Sequence, residues 1–297
     1  MAVNDELGKR MKEYYEQVPK TRLVRRMPVA IRIDGKAFHS FTKGFEKPFD
    51  DVLIKAMQET TKYLCENIQG CVLGYTQSDE ITLILVDYQT LTTSAWFDYE
   101  VQKMCSIAAS MATMAFNKFF NRSLNDFVID HYIDTGDGSK PEYDGVKKLI
   151  DTYMLASQKG AMFDARCFNI PKEEVTNLIY WRQLDATRNS IQMVGQANFS
   201  HKELHGKSCN MIQDMLMTEK GINWNDYPTH KKCGSCVIRN YRKCTPYGNI
   251  MANKEVPNGH WFIDTEIPIF KNEGREYIDR LIRFEDCPCS KVSENEG

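Results

Sequence analysis

The chain reads as an α+β protein built on a βαββαβ unit, and three observations lead there. Residues from Pro28 to Asp34, "PVAIRID", alternate apolar and polar residues and end at Asp-Gly, a strand running into a turn. Two beta-prone runs, Cys71 to Thr76 and Ile81 to Asp87, flank the short acidic stretch "QSDE". Helical spacing fills the gaps between strands, with Val52, Leu53, Ala56, Met57, Tyr63, Leu64 and Ile68 before the second strand and an Ala- and Met-rich pattern from Ser94 to Phe120 after the third.

Ala165 to Ile170 regains strand character, and Pro171 opens a helix at its favoured first position, with Glu173 and Glu174 in the first turn. Strand, helix, strand, strand, helix, strand is the ferredoxin-like order, with both helices on one face of the sheet. Between the last two elements, "NRSLNDFVIDHYIDTGDGSKPEYDGVKK" breaks the periodicity with Asp and Gly. It is expected to be an excursion or partly mobile insertion, at about 121–160. A mostly helical stretch follows, in which "SHKE" from Ser200 to Glu203 has capping-box form. Roughly Cys233 to Phe270 mixes strand signals with Gly and Pro, a small β-containing extension. The expected organisation is a βαββαβ domain over 1–170 and a helical and C-terminal region over 171–297, packed together.

Length permits one or two domains, and no apolar run reaches the ~18 residues needed to span a bilayer. The start, "MAVNDELGKRMKEYYEQ", lacks the apolar segment of a secretory signal, so a cytoplasmic protein without membrane contact is expected. Ten cysteines in a chain this long read mainly as small buried hydrophobes. Cys233-x-x-Cys236, with His230 before it and Cys244 after, has a partial zinc spacing, but no second pair completes it and Cys287-x-Cys289 lies far off.

The net charge of −2 argues against a uniformly basic coat. Two local runs are basic: "KTRLVRRMPVAIRIDGK" over 20–36, with Arg25 and Arg26, and "PTHKKCGSCVIRNYRKC" over 228–244, with Lys231, Lys232, Arg239, Arg242 and Lys243. Each is either the footprint of a phosphate-rich partner or a solvated face balanced by acids elsewhere.

The topology makes the acids informative. The first strand of this unit neighbours the third, so Asp34 and the Asp79/Glu80 pair are expected at one sheet edge. Carboxylates there suit magnesium, which takes a few hard oxygens and leaves the rest of its shell to water and phosphates. Two such ions clamp the attacking and leaving oxygens of a phosphoryl transfer. Neighbouring residues of a strand face opposite ways, so Asp79 and Glu80 share a site only if the backbone turns between them.

"RIDGKAFHSFTKGFEKPFD" (Arg32 to Asp50) and "GYTQSDEITLIL" (Gly74 to Leu85) closely resemble the tRNA-His guanylyltransferase superfamily, as do "FDARCFNIP" (Phe163 to Pro171) and "WRQLDATRNSI" (Trp181 to Ile191). The resemblance implies a polymerase-type palm domain and 3′–5′ nucleotide addition to a tRNA 5′ end, using ATP or GTP and two Mg2+ ions, in a homotetramer. By the same resemblance Asp34, Asp79 and Glu80 are the catalytic metal-binding carboxylates, with a backbone ligand from Gly35. Lys36, Ala37, Phe38, His39, Lys47, Ser78 and Lys103 match nucleotide-binding positions. Bland readings stand beside these: Phe38 as core, His39 as a structural histidine, Lys103 as a solvated helix charge. The tRNA-binding candidates are Arg25, Arg26, Arg188, Asn189, Lys231, Lys232, Arg239 and Arg242.

Where eukaryotic members carry "HINNLYN", this chain has "TRNSIQM", Thr187 to Met193. That departure resembles the guanylyltransferase-like branch, which repairs truncated tRNA 5′ ends, and puts obligatory guanylate addition to tRNA-His in doubt. Two alternatives remain. Diguanylate-type cyclases share the topology but carry a "GG[DE]EF" hairpin, which "QSDEI" is not. A catalytically silent tRNA-binding module fits poorly with three retained acids.

Overall fold

The computed structural model describes residues 5–133, 143–240, 257 and 259–283. In chain order the elements are α1 (Asp5–Met11), β1 (Val29–Gly35), α2 (Phe38–Phe41), α3 (Asp51–Asn67), β2 (Cys71–Gln77), β3 (Glu80–Leu85), α4 (Val101–Ile133), α5 (Tyr143–Lys159) and β4 (Phe163–Asn169). There follow α6 (Lys172–Asn198), α7 (His201–Leu204), α8 (Cys209–Lys220), α9 (Thr229–Cys233), β5 (Ser235–Arg239), β6 (Trp261–Asp264) and α10 (Glu276–Ile282). Helices therefore combine with one six-stranded antiparallel sheet in the order β4-β1-β3-β2-β5-β6.

Alternation along the strands separates two cores. Ile31, Ile33, Ile81, Leu83 and Leu85 face α3 and α4, meeting Met57, Leu64 and Phe116. Ala30, Ile84, Leu73 and Tyr75 face the other way, onto Val175 and Ile179 of α6 and Ile278 and Ile282 of α10. Gly74 lets α3 approach β2 closely, because a Cβ there would lie 2.6 Å from Cys65 Sγ. A third cluster joins the second half of α6 to α8 through Ile191, Val194, Ile212 and Leu216.

Two expectations change. The helix expected from Ser94 begins at Val101, because Phe97, Asp98 and Tyr99 carry positive φ values of 50°, 53° and 56°. It then continues past Phe120 to Ile133. Buried Phe116, Phe120 and Leu124 extend the i, i+4 ladder while the intervening polar side chains hide it from a simple reading. Much of the expected 121–160 excursion is therefore helix, the end of α4 and then α5, whose Tyr153 packs edge-on against Phe127 and Phe45. The expected capping box is present: Ser200 Oγ accepts from Glu203 N, and Ser200 N donates to Glu203 Oε2 at 2.7 Å. Among the described residues no helix is long and apolar enough to cross a membrane.

Candidate active site

β1 delivers Asp34 to the sheet edge, where it pairs in register with Glu80 on one side and Asp164 on the other. Gly35 follows, and its N–H donates to the Asp79 carbonyl at 3.1 Å. A Cβ at position 35 would lie 2.2 Å from the Phe38 ring, which is itself fixed among Phe41, Phe116 and Phe163 at centroid distances of 5.1, 5.4 and 5.2 Å. Lys36 N–H donates to the Met162 carbonyl at 2.8 Å, and Ala37, left-handed at φ 55°, turns the chain into α2.

The backbone turn required between β2 and β3 is present. Gln77 pairs with Glu80, so Ser78 and Asp79 form a two-residue loop, with Ser78 at φ 50°. Ser78 Oγ donates to Asp79 Oδ1 at 3.1 Å. Burial, with the charges of Asp34 and Glu80 adding to it, pushes the Asp79 carboxyl above its ordinary value.

Glu80 has a different environment from its neighbour. It is 7 % exposed; Oε1 accepts from Arg32 at 2.7 and 3.0 Å and Oε2 from Arg182 at 2.5 Å. Arg182, also buried, gives a second bond to Asp185 at 2.8 Å. Both Glu80 oxygens are thus held by guanidinium groups that tie the sheet to α6. Among the described residues no group of three or more His, Cys, Asp or Glu side chains is arranged to hold a metal ion. Asp34 and Asp79 have no arginine partner among the described residues, and a pair of carboxylates is the donor set by which magnesium is commonly bound together with substrate phosphates.

Beside these acids opens a cavity of about 590 Å³. Of the residues singled out in the sequence, Gly35, Ala37, Phe38, His39, Lys47, Ser78, Asp79, Asn189, Lys231 and Lys232 line it. Glu46 and Gln77, inside the quoted motifs but not singled out, line it too, as do Gln196 and His230, which no motif marked for this site. Lys231 pairs with Asp51 at 2.6 Å, while Lys232 donates to the Asn225 carbonyl at 2.5 Å over the Trp224 ring. Burial, reinforced by Lys231, pushes the His230 imidazole below its ordinary value, and its Nδ1 has no partner. The partial zinc spacing comes apart here. Cys233 sits by Thr187 at 3.7 Å, while Cys236 points into the second core with its thiol pushed up by burial. Cys244, Cys287 and Cys289 lie outside the described residues.

Other expected residues lie elsewhere. Lys103 is in the first turn of α4, its ammonium 4.7 Å from the Phe97 ring centroid. Thr113, ten residues on, meets Phe163 N at 3.2 Å, level with Gly35, so Lys103 lies about 15 Å away along the helix. The structure does not bring it to the cavity. Three arginines of the 20–36 run are already engaged within the fold. Arg22 pairs with Asp98 at 2.9 Å, Arg25 with buried Asp87 at 2.7 Å, and Arg26 donates to the Thr90 carbonyl at 3.0 Å, all at the opposite end of β1 from Asp34. Arg188 pairs with Asp185 and Arg239 donates to the Gly259 carbonyl at 2.7 Å. Arg242 and Lys243 lie outside the described residues.

Comparison with known proteins agrees with this geometry. The family described as tRNAHis guanylyltransferase matches residues 8–171, more than half of the 297. A protein of Acanthamoeba polyphaga mimivirus is 30% identical over 79% of this chain and 77% of its own length. The tRNA(His) guanylyltransferase of Saccharomyces cerevisiae is 27% identical over 71% of this chain and 82% of its own. Among solved structures, a bacterial tRNA(His) guanylyltransferase-like protein in complex with ATP aligns with a TM-score of 0.71 and 40% identity, covering 94% of this chain and 99% of that one. A complex of such a bacterial protein with GTP aligns at 0.64 and 35% identity over the same shares. With acids, turn and cavity assembled as above, the chain belongs to the tRNA-His guanylyltransferase family.

Proposed function

We propose that this nucleotidyltransferase activates the 5′-monophosphate of a tRNA with ATP or GTP and then adds a nucleotide to that end, in the 3′–5′ direction. In the first step a 5′-phosphate oxygen attacks the α-phosphorus of the triphosphate, pyrophosphate leaves, and a 5′–5′ anhydride forms. In the second, the 3′-hydroxyl of an incoming nucleotide attacks the tRNA 5′-phosphorus and the activating nucleoside monophosphate leaves. The observation that carries the reading is a cavity lined by Asp79 and by Gly35, Ala37 and His39, the residues that follow Asp34, in a chain 40% identical to a protein solved with ATP.

Asp34, Asp79 and the Gly35 carbonyl would hold magnesium, which when bound supplies charge neutralisation at the phosphoryl oxygens. The chain's own residues position the substrate. The left-handed turn at Ala37 turns the backbone beside the cavity, where His39, Lys47 and Ser78 line the wall and can receive a triphosphate. Lys231 and Lys232 also line the cavity, and a phosphate entering there meets two cations already held by Asp51 and Asn225. Glu80 keeps Arg32 and Arg182 in place and through them the register of the edge, a positioning role in place of direct ligation. The strand order β4-β1-β3-β2, with α3 and α4 on one face, supports the ferredoxin-like palm reading.

Repair of 5′-truncated tRNA is favoured over obligatory guanylate addition. In Thr187–Met193, Ser190 Oγ accepts from Trp224 Nε1 at 3.2 Å and donates to the Thr187 carbonyl at 2.8 Å, with the Lys232 carbonyl also near at 3.2 Å, so this position packs within the fold. Exposed Leu7, Met11, Tyr14 and Tyr15 near the N-terminus support contact between copies of the chain, and a homotetramer, the state the resemblance implies, is measurable by sedimentation. The test of function is an assay with magnesium, labelled ATP or GTP, and 5′-monophosphorylated tRNA, either lacking its first nucleotide or as full-length tRNA-His. Label transfer and extension are expected, more on the truncated substrate, and Asp34→Ala or Asp79→Ala should abolish both while RNA binding persists. Near-normal extension by either variant would overturn the assignment.

A further inference from the structure

The face of the sheet away from α3 and α4 is covered unevenly. α6 and α10 bury Leu73, Tyr75 and Ile84, but along β4 Asp164 and Arg166 remain exposed. Beside this open strip stands Trp181 of α6, 51 % exposed. The Arg182 guanidinium lies 4.5 Å and that of Arg32 5.3 Å from its ring centroid. Both guanidiniums are anchored on Glu80, the strand partner of Asp34. A large, half-exposed aromatic is thereby held in a set orientation one side chain from the acidic edge.

A second feature of the strip is independent of the tryptophan. Arg32 and Arg166 are direct cross-strand partners, and like charges directly opposite each other destabilise a sheet. Glu80 satisfies Arg32, but Arg166 has among the described residues only Asp164, at 3.2 Å, both side chains 59 % exposed. A solvent-exposed pair of this kind contributes little. An anion arriving over Arg166 relieves the repulsion, and an aromatic face next to that anion site is the pairing that a nucleotide offers.

We infer that Trp181, with Arg32 and Arg166, forms a stacking subsite for an unpaired nucleotide of the RNA substrate: base on the indole, phosphate over the arginines. The inference rests on the tRNA reading above and adds to it a place for a single-stranded part of the substrate. Bases freed from a helix stack on aromatic side chains and guanidinium planes in this way, largely without regard to sequence. The strip leads along β1 toward Asp34, so an RNA strand held on Trp181 is directed to the edge where the 5′ end reacts.

The experiment uses the full chain and two 5′-monophosphorylated acceptor-stem hairpins, one with an unpaired 3′ overhang and one trimmed blunt, followed by fluorescence anisotropy. Wild type should bind the overhanging RNA more tightly. Trp181→Ala should weaken that RNA by about tenfold and the blunt one little, and Trp181→Phe should keep most of the affinity. Arg166→Gln should lower the salt-dependence slope by about one. Equal effects of Trp181→Ala on both RNAs, or none on either, would overturn the subsite. A change of sedimenting mass in Trp181→Ala with RNA binding intact would overturn it too, and mark the face as a contact between copies of the chain. If wild type transfers no label from ATP to either RNA, the polymerase reading fails, while the anisotropy comparison still decides the subsite.

Discussion

Replacing Arg182 by Met separates two accounts of Glu80. Arg182 and Glu80 side chains are 8 % and 9 % exposed, so little solvent is available to a carboxylate that loses its partner. Breaking a buried pair by removing one side costs about 3–5 kcal/mol, because an uncompensated charge stays inside. Arg32 keeps its two bonds to Oε1, so the expected cost falls at the low end, about 3 kcal/mol. Urea unfolding should show this as a lower midpoint with an unchanged slope. Glu80→Gln should also destabilise, since its NH2 faces a guanidinium where an oxygen had accepted. The double replacement Glu80→Met with Arg182→Met should recover part of the loss, because the two most buried charges go together while Arg32 and Asp185, each about a fifth exposed, lose a partner but can turn to water. If Arg182→Met unfolds within about 0.5 kcal/mol of wild type, the range of an ordinary surface change, the buried-pair argument fails. A Glu80→Gln variant of wild-type stability that no longer transfers label would instead return Glu80 to the ligand set.

Two further predictions come from the cavity wall. Gly35→Ala should cost at least about 2 kcal/mol in urea unfolding, because the new methyl meets the Phe38 ring and the surrounding aromatics leave that ring no room; a neutral result would mean that the turn relaxes freely. Asp50, 5 % exposed, caps α3 through Leu53 N at 2.8 Å and accepts from Tyr153 Oη at 2.6 Å, yet burial outweighs these bonds and pushes its carboxyl above the ordinary value of 3.8. A raised acid contributes stability that is fully present below its unfolded value and lost as pH rises through its folded one. Asp50→Asn loses some of these acceptor bonds at every pH, so the diagnostic is the difference in stability between variant and wild type. Wild type loses the contribution of the raised carboxyl as pH rises above the ordinary carboxylate value and through the raised one, and the amide, which does not titrate, loses nothing there. The difference should therefore move in favour of the variant over that range, and a pH-independent difference would refute the assignment.

How far the sequence carries depends on the range of the interaction concerned. Strands β1, β2 and β3 and helix α3 are legible because alternation, helical spacing and the Asp-Gly turn are local. The capping box at Ser200 is legible for the same reason. The paired arginines are not: Arg25 finds Asp87 and Asp98 at separations of 62 and 73 residues, and Arg182 finds Glu80 at 102. A basic run awaiting phosphate and a basic run already paired look alike in one dimension. Lys103 lies apart from the cavity for a geometric reason, since the direction of α4 carries its first turn away from the acids. Helix α4 beyond Phe120 escapes the pattern because Asn121, Arg122, Asn125 and Asp126 interrupt the apolar spacing on the outer face while Leu124 continues it inside.

The Asp79–Glu80 pair shows what spacing alone leaves open. Side by side in sequence, the two acids could be two ligands, one ligand and one brace, or a solvated tip. Backbone geometry divides them: Ser78 at φ 50° ends β2 and puts Asp79 in the loop, while Glu80 begins β3 and joins the ladder opposite Asp34. A loop carboxylate at the mouth of the cavity can meet a ligand entering from outside. A strand carboxylate under α6 meets what the fold supplies, and the fold supplies Arg32 and Arg182. Two adjacent acids thereby part: one lines the cavity, and the other is locked by two arginines into the edge beside it.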